Sequence, residues 1–180
     1  MTTNNAKKPD KKRGRPFTTK EMVTVSALIA MAMVMSYLDS QIPIFDAFIP
    51  GYRIGLANVA TVFALYIFGW PCAIFVSILR VILTFFMFAR ADTYIISLCG
   101  AIFALVAMIL LKQLGKFSPV IVSVAGGLAH NVGQIIAAIF ILRTPQIAYT
   151  LIFTLVVGTV TGILIGIISG ILIKRLKKFL

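Results

Sequence analysis

Long apolar runs, separated by short polar or proline-containing breaks, dominate the chain after residue 18. Six of these runs predict transmembrane helices, because each approaches the roughly 20 residues that cross a bilayer. The predicted spans cover about residues 21–38, 54–68, 72–88, 94–111, 119–142 and 148–173. We therefore expect an all-α membrane protein in which residues 19–180 form one six-transmembrane-helix bundle.

The connection between the first two spans, residues 39–53, reads DSQIPIFDAFIPGYR and is apolar, yet Pro43 and Pro50 interrupt it. Proline does not continue a helix. Non-helical backbone is tolerated at membrane depth only where protein covers it or where it lines a cavity. We predict a lid loop that folds over the outer mouth of the bundle, above a short second helix.

Composition supports a membrane protein, since 60% of the residues are hydrophobic and 12% are charged, whereas about a quarter are charged in a soluble domain. The net charge of +12 is concentrated near the two ends of the sequence. The positive-inside rule therefore predicts that the N- and C-termini are cytoplasmic. Residues 1–18 are expected to be a disordered basic tail. We interpret these charges as contacts with the lipid bilayer rather than with nucleic acid.

Arg80 lies near the middle of the third predicted span, and Ser77 and Thr84 share its helical face. An arginine at that depth is costly unless it faces a cavity or a partner. We interpret it as a functional residue. The alternative is a structural arginine that is satisfied by backbone carbonyls or by Asp39 or Asp46.

Three polar side chains, His130, Asn131 and Gln134, lie together in the apolar fifth span, in the stretch GLAHNVGQ. They predict one wall of a polar pocket, although an interhelical hydrogen bond also explains a single histidine. No second histidine accompanies it, so no metal site is predicted. From the predicted orientation of the spans and the position of each residue along its span, we expect a larger set of polar residues to lie in the outer half of the bundle. The predicted substrate-binding residues are Asp39, Arg53, Asn58, Arg80, Thr84, His130, Asn131 and Gln134.

Small residues on two predicted helices indicate close packing, because they let helix backbones approach each other in lipid. The residues spaced four apart are Gly158, Gly162, Gly166 and Gly170 on the sixth span and Ser26 and Ala30 on the first. Packing within this bundle and contact with a partner protein both remain open for these surfaces.

The sequence predicts no catalytic residue and no cofactor site. Its five acidic residues are scattered, and no pair is close enough to hold magnesium on a diphosphate. A P-loop and an HExxH motif are also absent from the sequence. We therefore expect that this chain is not an enzyme and that only partner subunits use ATP.

Three strings resemble one family: PGYRIGLANVATVFALYIFGW at residues 50–70, SILRVILTFFM at 77–87 and SVAGGLAHNVGQIIAA at 123–138. The chain resembles the bacterial membrane proteins of the Gx transporter family, which are also labelled heptaprenyl diphosphate synthase component I. These are similar in turn to the substrate-binding S-components of energy-coupling factor vitamin transporters. The resemblance covers about residues 19–173 and implies a multi-pass protein of the bacterial cell membrane.

The resemblance implies a substrate-capture subunit that docks on a transmembrane coupling protein driven by an ATPase pair. The family's polar pattern carries over to Arg53, Gly55, Asn58, Arg80, His130, Asn131 and Gln134. The chain departs from that pattern at Asp39, where glutamate is expected, and at Arg90, where glycine is more usual.

Together these features predict uptake of a small organic anion with an apolar body, such as a vitamin, a flavin or an isoprenoid or quinone precursor. Three alternatives remain open. The first is a non-catalytic membrane accessory subunit of a prenyl diphosphate synthase. The second is a proton-coupled secondary transporter that uses His130 and an aspartate, and the third is a structural scaffold. The inverted repeat found in many secondary transporters is not visible.

Overall fold

The computed structural model describes residues 18–42, 52–88, 91–115 and 117–177 of the chain. Several predicted features lie outside these described residues. They are the basic tail before Thr18, the middle of the lid loop with Asp46, and Arg90. The described residues form helices and no strand, which confirms the predicted all-α class.

The described part of the chain contains six α-helices and one 3₁₀ helix. They are α1 (Thr19–Ser40), α2 (Asn58–Ile67), α3 (Trp70–Phe88), α4 (Ala91–Leu114), α5 (Pro119–Leu142), the 3₁₀ helix (Pro145–Thr150) and α6 (Leu151–Leu176). Helix α5 has the predicted bounds. Ser118 caps its first turn, Pro119 takes the first position, and Arg143 ends it in a left-handed conformation.

Five of the described helices are long and apolar enough to cross a membrane, namely α1, α3, α4, α5 and α6 together with the 3₁₀ helix before it. Helix α2 has 10 residues and is about 15 Å long, which is half the thickness of a bilayer core. The chain is therefore a multi-pass membrane protein. The count of six spans and the cytoplasmic position of both termini stay predictions.

The second helix is shorter than the sequence indicates. It begins at Asn58 rather than at Ile54, and the residues just before it are buried but not helical. At its other end, the hydroxyl of Tyr66 donates a hydrogen bond of 2.7 Å to the carbonyl of Phe117, between α4 and α5. Helix α2 thus has one end at that connection, and the mostly buried, non-helical residues 52–57 precede its other end.

The glycine face of α6 packs against α5 within the chain. Gly158, Gly162 and Gly166 approach α5 closely, and a Cβ atom built on Gly162 would lie 2.7 Å from the Cα atom of Val124. Such an approach of two helices requires the absence of side chains. Gly170 has no such neighbour within 4 Å, so it contributes nothing to this contact.

The small residues of α1 are divided between two faces. Ala32 and Ser36 are buried against the bundle, whereas Ser26 and Ala30 are exposed on another face. In the described part of the chain, Ser26 and Ala30 therefore do not serve the packing of this bundle. Their contact with a partner stays a prediction.

We expect Gly162→Ala to lower the free energy of unfolding by about 2 kcal/mol, because the added methyl group meets the α5 backbone and overpacks the interface. Gly170→Ala is the matched control, and it should be neutral or slightly stabilising because alanine favours the helix. Thermal unfolding of the purified variants in detergent measures the difference. Equal stability of the two variants would contradict the observed packing.

Candidate functional site

A buried, non-helical segment, residues 52–57, lies between α1 and α5 ahead of α2, and we call it the inserted segment. The carboxylate of Asp39, near the end of α1, accepts hydrogen bonds from three of its backbone N–H groups. They belong to Ile54 (2.8 Å), Gly55 (2.8 Å) and Leu56 (3.2 Å). Non-helical backbone inside a membrane protein needs such partners, and one buried carboxylate provides them for three successive residues.

Gly55 is required at the bend of this segment. Its φ of +92° lies in the region that side chains disfavour. A Cβ atom there would also lie only 3.0 Å from Nδ2 of Asn58 and 3.5 Å from Cδ2 of His130. This bend explains why α2 does not begin at Ile54 as predicted, because a helix cannot run through a residue with that φ.

The start of the inserted segment is bonded to both neighbouring helices. The hydroxyl of Tyr52 donates to Oδ1 of Asn131 at 3.0 Å, and the backbone N–H of Arg53 donates to Oε1 of Gln134 at 3.4 Å. On the other side, Nη1 of Arg53 donates to the carbonyl oxygen of Ser36 at 2.7 Å. The segment thereby links α1 to the polar centre of α5.

The polar side chains of α5 are engaged mainly within the protein. Nε2 of Gln134 lies 3.0 Å from Nε2 of His130. Because Oε1 of Gln134 already accepts from Arg53, the amide nitrogen donates to His130, whose Nε2 is then the unprotonated acceptor. Nδ2 of Asn131 donates to the carbonyl of Thr154 on α6. Asn131 and Gln134 are both 0% exposed. Through their hydrogen bonds they hold the inserted segment and α6 in place.

A small cavity of about 20 Å³ lies beside the inserted segment, among residues of α1, α3, α4 and α5. It has room for about one water-sized group. The predicted site residues that line it are Asp39, Arg53, Arg80, Thr84 and His130, together with Gly55. The remaining predicted residues, Asn58, Asn131 and Gln134, are buried and do not line it.

Arg80 lines this cavity and has unpaired hydrogen-bond donors. It is 6% exposed, and Nη1 donates a long bond of 3.4 Å to Oγ of Ser36. Nε and Nη2 are buried and have no hydrogen-bond partner among the described residues. Asp39 forms no hydrogen bond with them, and its carboxylate instead accepts from the inserted segment. Asp46, the other predicted partner, lies outside the described residues.

Sequence reasoning missed three polar residues that line the cavity: Ser36, Tyr94 and Ser97. The buried Oγ of Ser97, like Oγ1 of Thr84, has no partner in the part of the chain that the structure describes. A signal was available, because Tyr94 and Ser97 are three positions apart and share one face of the apolar helix α4. No three His, Cys, Asp or Glu side chains meet in these same described ranges.

The fold and the cavity define a multi-pass helical membrane protein with a buried polar site that contains two arginines and one carboxylate. Residues 28–172 match the family model described as heptaprenyl diphosphate synthase component I. The chain belongs to this family, which confirms the family label that its sequence resembles. No curated protein and no solved structure matches the chain. The likeness to S-components therefore stays a prediction.

We expect Asp39→Asn to lower the free energy of unfolding by about 3 kcal/mol, because an amide nitrogen would replace one acceptor oxygen and leave buried N–H groups unsatisfied. Thermal unfolding in detergent measures this loss. Ser40→Ala, at the exposed neighbouring position, is the control and should change stability little. If Asp39→Asn unfolds at the wild-type temperature, the carboxylate does not hold the inserted segment.

Proposed function

We propose that this protein is a membrane-embedded substrate-binding subunit that captures a small organic anion with an apolar body. The observation that carries the proposal is Arg80, a buried arginine whose Nε and Nη2 have no partner among the described residues and which lines a cavity. A buried charge without a partner is costly, so a bound anion would supply what the protein does not. A vitamin, a flavin and an isoprenoid or quinone precursor all have this chemistry.

The predicted site residues divide into two roles in this proposal. Arg80 and Thr84 contact the anionic group, since both have unpaired donors at the cavity. Asp39, Arg53, Asn58, His130, Asn131 and Gln134 shape and support the site, most of them through the inserted segment. The predicted lid loop, residues 39–53, lies within the described residues only at its two ends. In this proposal the cavity of about 20 Å³ takes the anionic end of the solute and not its whole body.

Transport in this proposal draws its energy from other proteins. The sequence has no nucleotide-binding motif, so a transmembrane coupling protein and an ATPase pair would drive release of the solute. Ser26 and Ala30, which are exposed on α1, offer a small-residue face for that contact. The protein would lie in the bacterial plasma membrane with both basic termini in the cytoplasm.

The family description favours a second candidate, a non-catalytic membrane accessory subunit of a prenyl diphosphate synthase. In that role the cavity would hold the phosphate end of an isoprenoid for a separate catalytic subunit. The two candidates differ in their partner. Affinity purification from the native membrane would recover an ATPase pair in the first case and a soluble prenyl synthase subunit in the second.

The proposal predicts that the purified protein retains an anionic small molecule from a cell extract and that Arg80→Leu retains at least about tenfold less, as loss of a charged hydrogen bond implies. Mass spectrometry of the washed, denatured protein measures the retained solute. Arg175→Leu is the matched control, because Arg175 is exposed near the end of α6. Thermal unfolding shows whether each variant is folded.

Two results would contradict the proposed function. The first is a wild-type protein that retains no solute in excess of the folded Arg80→Leu variant. The second is a solute that both arginine variants retain as well as the wild type does.

A further inference from the structure

The unpaired donors of Arg80 lie on one edge of its guanidinium group. Nη1 donates to Oγ of Ser36, whereas Nε and Nη2 have no partner among the described residues. Nε–H and the adjacent Nη2–H point in parallel, and this edge matches two oxygens of a carboxylate or a phosphoryl group. The orientation of Arg80 thus leaves open the edge that binds an oxyanion in bidentate fashion.

Two hydroxyl groups line the same cavity without a partner in the described residues. Thr84 follows Arg80 by one helical turn on α3, and Ser97 lies across the cavity on α4. A hydroxyl group donates one hydrogen bond in an orientation that adapts to its acceptor. With Nε and Nη2 of Arg80 and Nδ1 of His130 on α5, they make five unpaired donor groups on three helices, and an oxyanion would satisfy several of them at once.

The charges around the cavity leave one positive charge in excess. Arg53 and Arg80 line it with the single carboxylate of Asp39, and the hydrogen bond from Gln134 leaves Nε2 of His130 unprotonated. Neither arginine donates directly to that carboxylate within the described structure. A group with one negative charge would balance the site.

An aromatic pair adjoins these polar groups. The rings of Phe85 and Tyr94 also line the cavity, and their centroids are 4.4 Å apart with the planes tilted by 44°. Aromatic faces contribute apolar area for a flat or unsaturated ligand body. The polar donors and this pair together favour an amphipathic ligand whose charged end is the deeper one.

We infer that the cavity is an oxyanion subsite in which Arg80 binds two oxygens through Nε and Nη2 while the hydroxyls of Thr84 and Ser97 donate to the same group. Phe85 and Tyr94 contact the attached body. This assigns Ser97 to the site and specifies a singly charged carboxylate or phosphoryl headgroup. The inference rests on the proposed solute-binding function and specifies its ligand.

Three matched probes test this inference: benzoate, methyl phenyl phosphate (a singly charged diester) and benzyl alcohol, titrated into the full-length protein in lipid nanodiscs by calorimetry. We expect at least one of the two anions to bind about tenfold more tightly than the alcohol, since hydrogen bonds to charged groups are the stronger ones. The preferred anion tells whether the site is built for a carboxylate or for a phosphoryl group.

Matched variants show which hydroxyl groups take part. Thr84→Val and Ser97→Ala should each weaken binding of the preferred anion about tenfold. Thr61→Val and Ser123→Ala remove buried hydroxyls that are equally unpartnered among the described residues but do not line the cavity, and they should leave binding unchanged. Arg80→Lys keeps the charge without the bidentate edge and should also weaken binding about tenfold.

Equal affinity for all three probes, no binding of either anion, or equal effects of the cavity variants and their controls would overturn the inference. The oxyanion subsite can be absent even if the proposed solute-binding function is correct, and the experiments distinguish the two cases. A protein that retains a solute from the cell extract through Arg80, while Thr84→Val and Ser97→Ala have no effect, is a binding subunit without this oxyanion subsite.

Discussion

The structure depends on one buried interaction, the carboxylate of Asp39 with three successive backbone N–H groups of the inserted segment. A helix satisfies its own backbone in a membrane, whereas a non-helical segment requires partners from elsewhere in the protein. Asp39 provides those partners at the end of α1, so the chain can keep a non-helical segment inside the bundle. That backbone holds Arg53 inside the bundle and opens space beside Arg80.

The same interaction explains why the polar residues of α5 and the arginine of α3 have different roles. Asn131 and Gln134 complete the hydrogen bonding of the inserted segment, through Tyr52 and through the backbone of Arg53. Arg80 receives no comparable support from the described residues. The protein has thus satisfied its buried amide groups and left its buried guanidinium group available, which is the physical basis for assigning a ligand to the latter.

Much of the fold could be predicted from the sequence, because local signals define the long helices. Ser118, Pro119 and Arg143 mark the bounds of α5, and the apolar runs define the others. The start of α2 could not be predicted, because the apolar pattern continues through residues 54–57. The helix begins only at Asn58 because Gly55 bends the backbone at a φ of +92°, and Asp39, distant in sequence, binds the N–H groups at that bend. The glycine pattern predicted a close contact but not its partner, which the structure identifies as α5 for Gly162 and not for Gly170.

The candidate site was predictable where a polar residue was out of place in an apolar helix, as Arg80 and Thr84 are. The place of Ser97 in the cavity lining was not predictable, because a single serine in a transmembrane helix often bonds its own backbone. The division between lining and supporting residues required the tertiary structure, since Gln134 and His130 share a helix face but only His130 lines the cavity.

The unpaired edge of Arg80, beside the inserted segment, is the proposed ligand site. An experimental structure of the protein in native lipid, purified without removal of bound solutes, would show whether a ligand occupies it. We expect density for an oxyanion within hydrogen-bonding distance of Nε and Nη2, beside an inserted segment still bonded to Asp39. Pairing of those two nitrogens with a protein carboxylate such as Asp46 would contradict it.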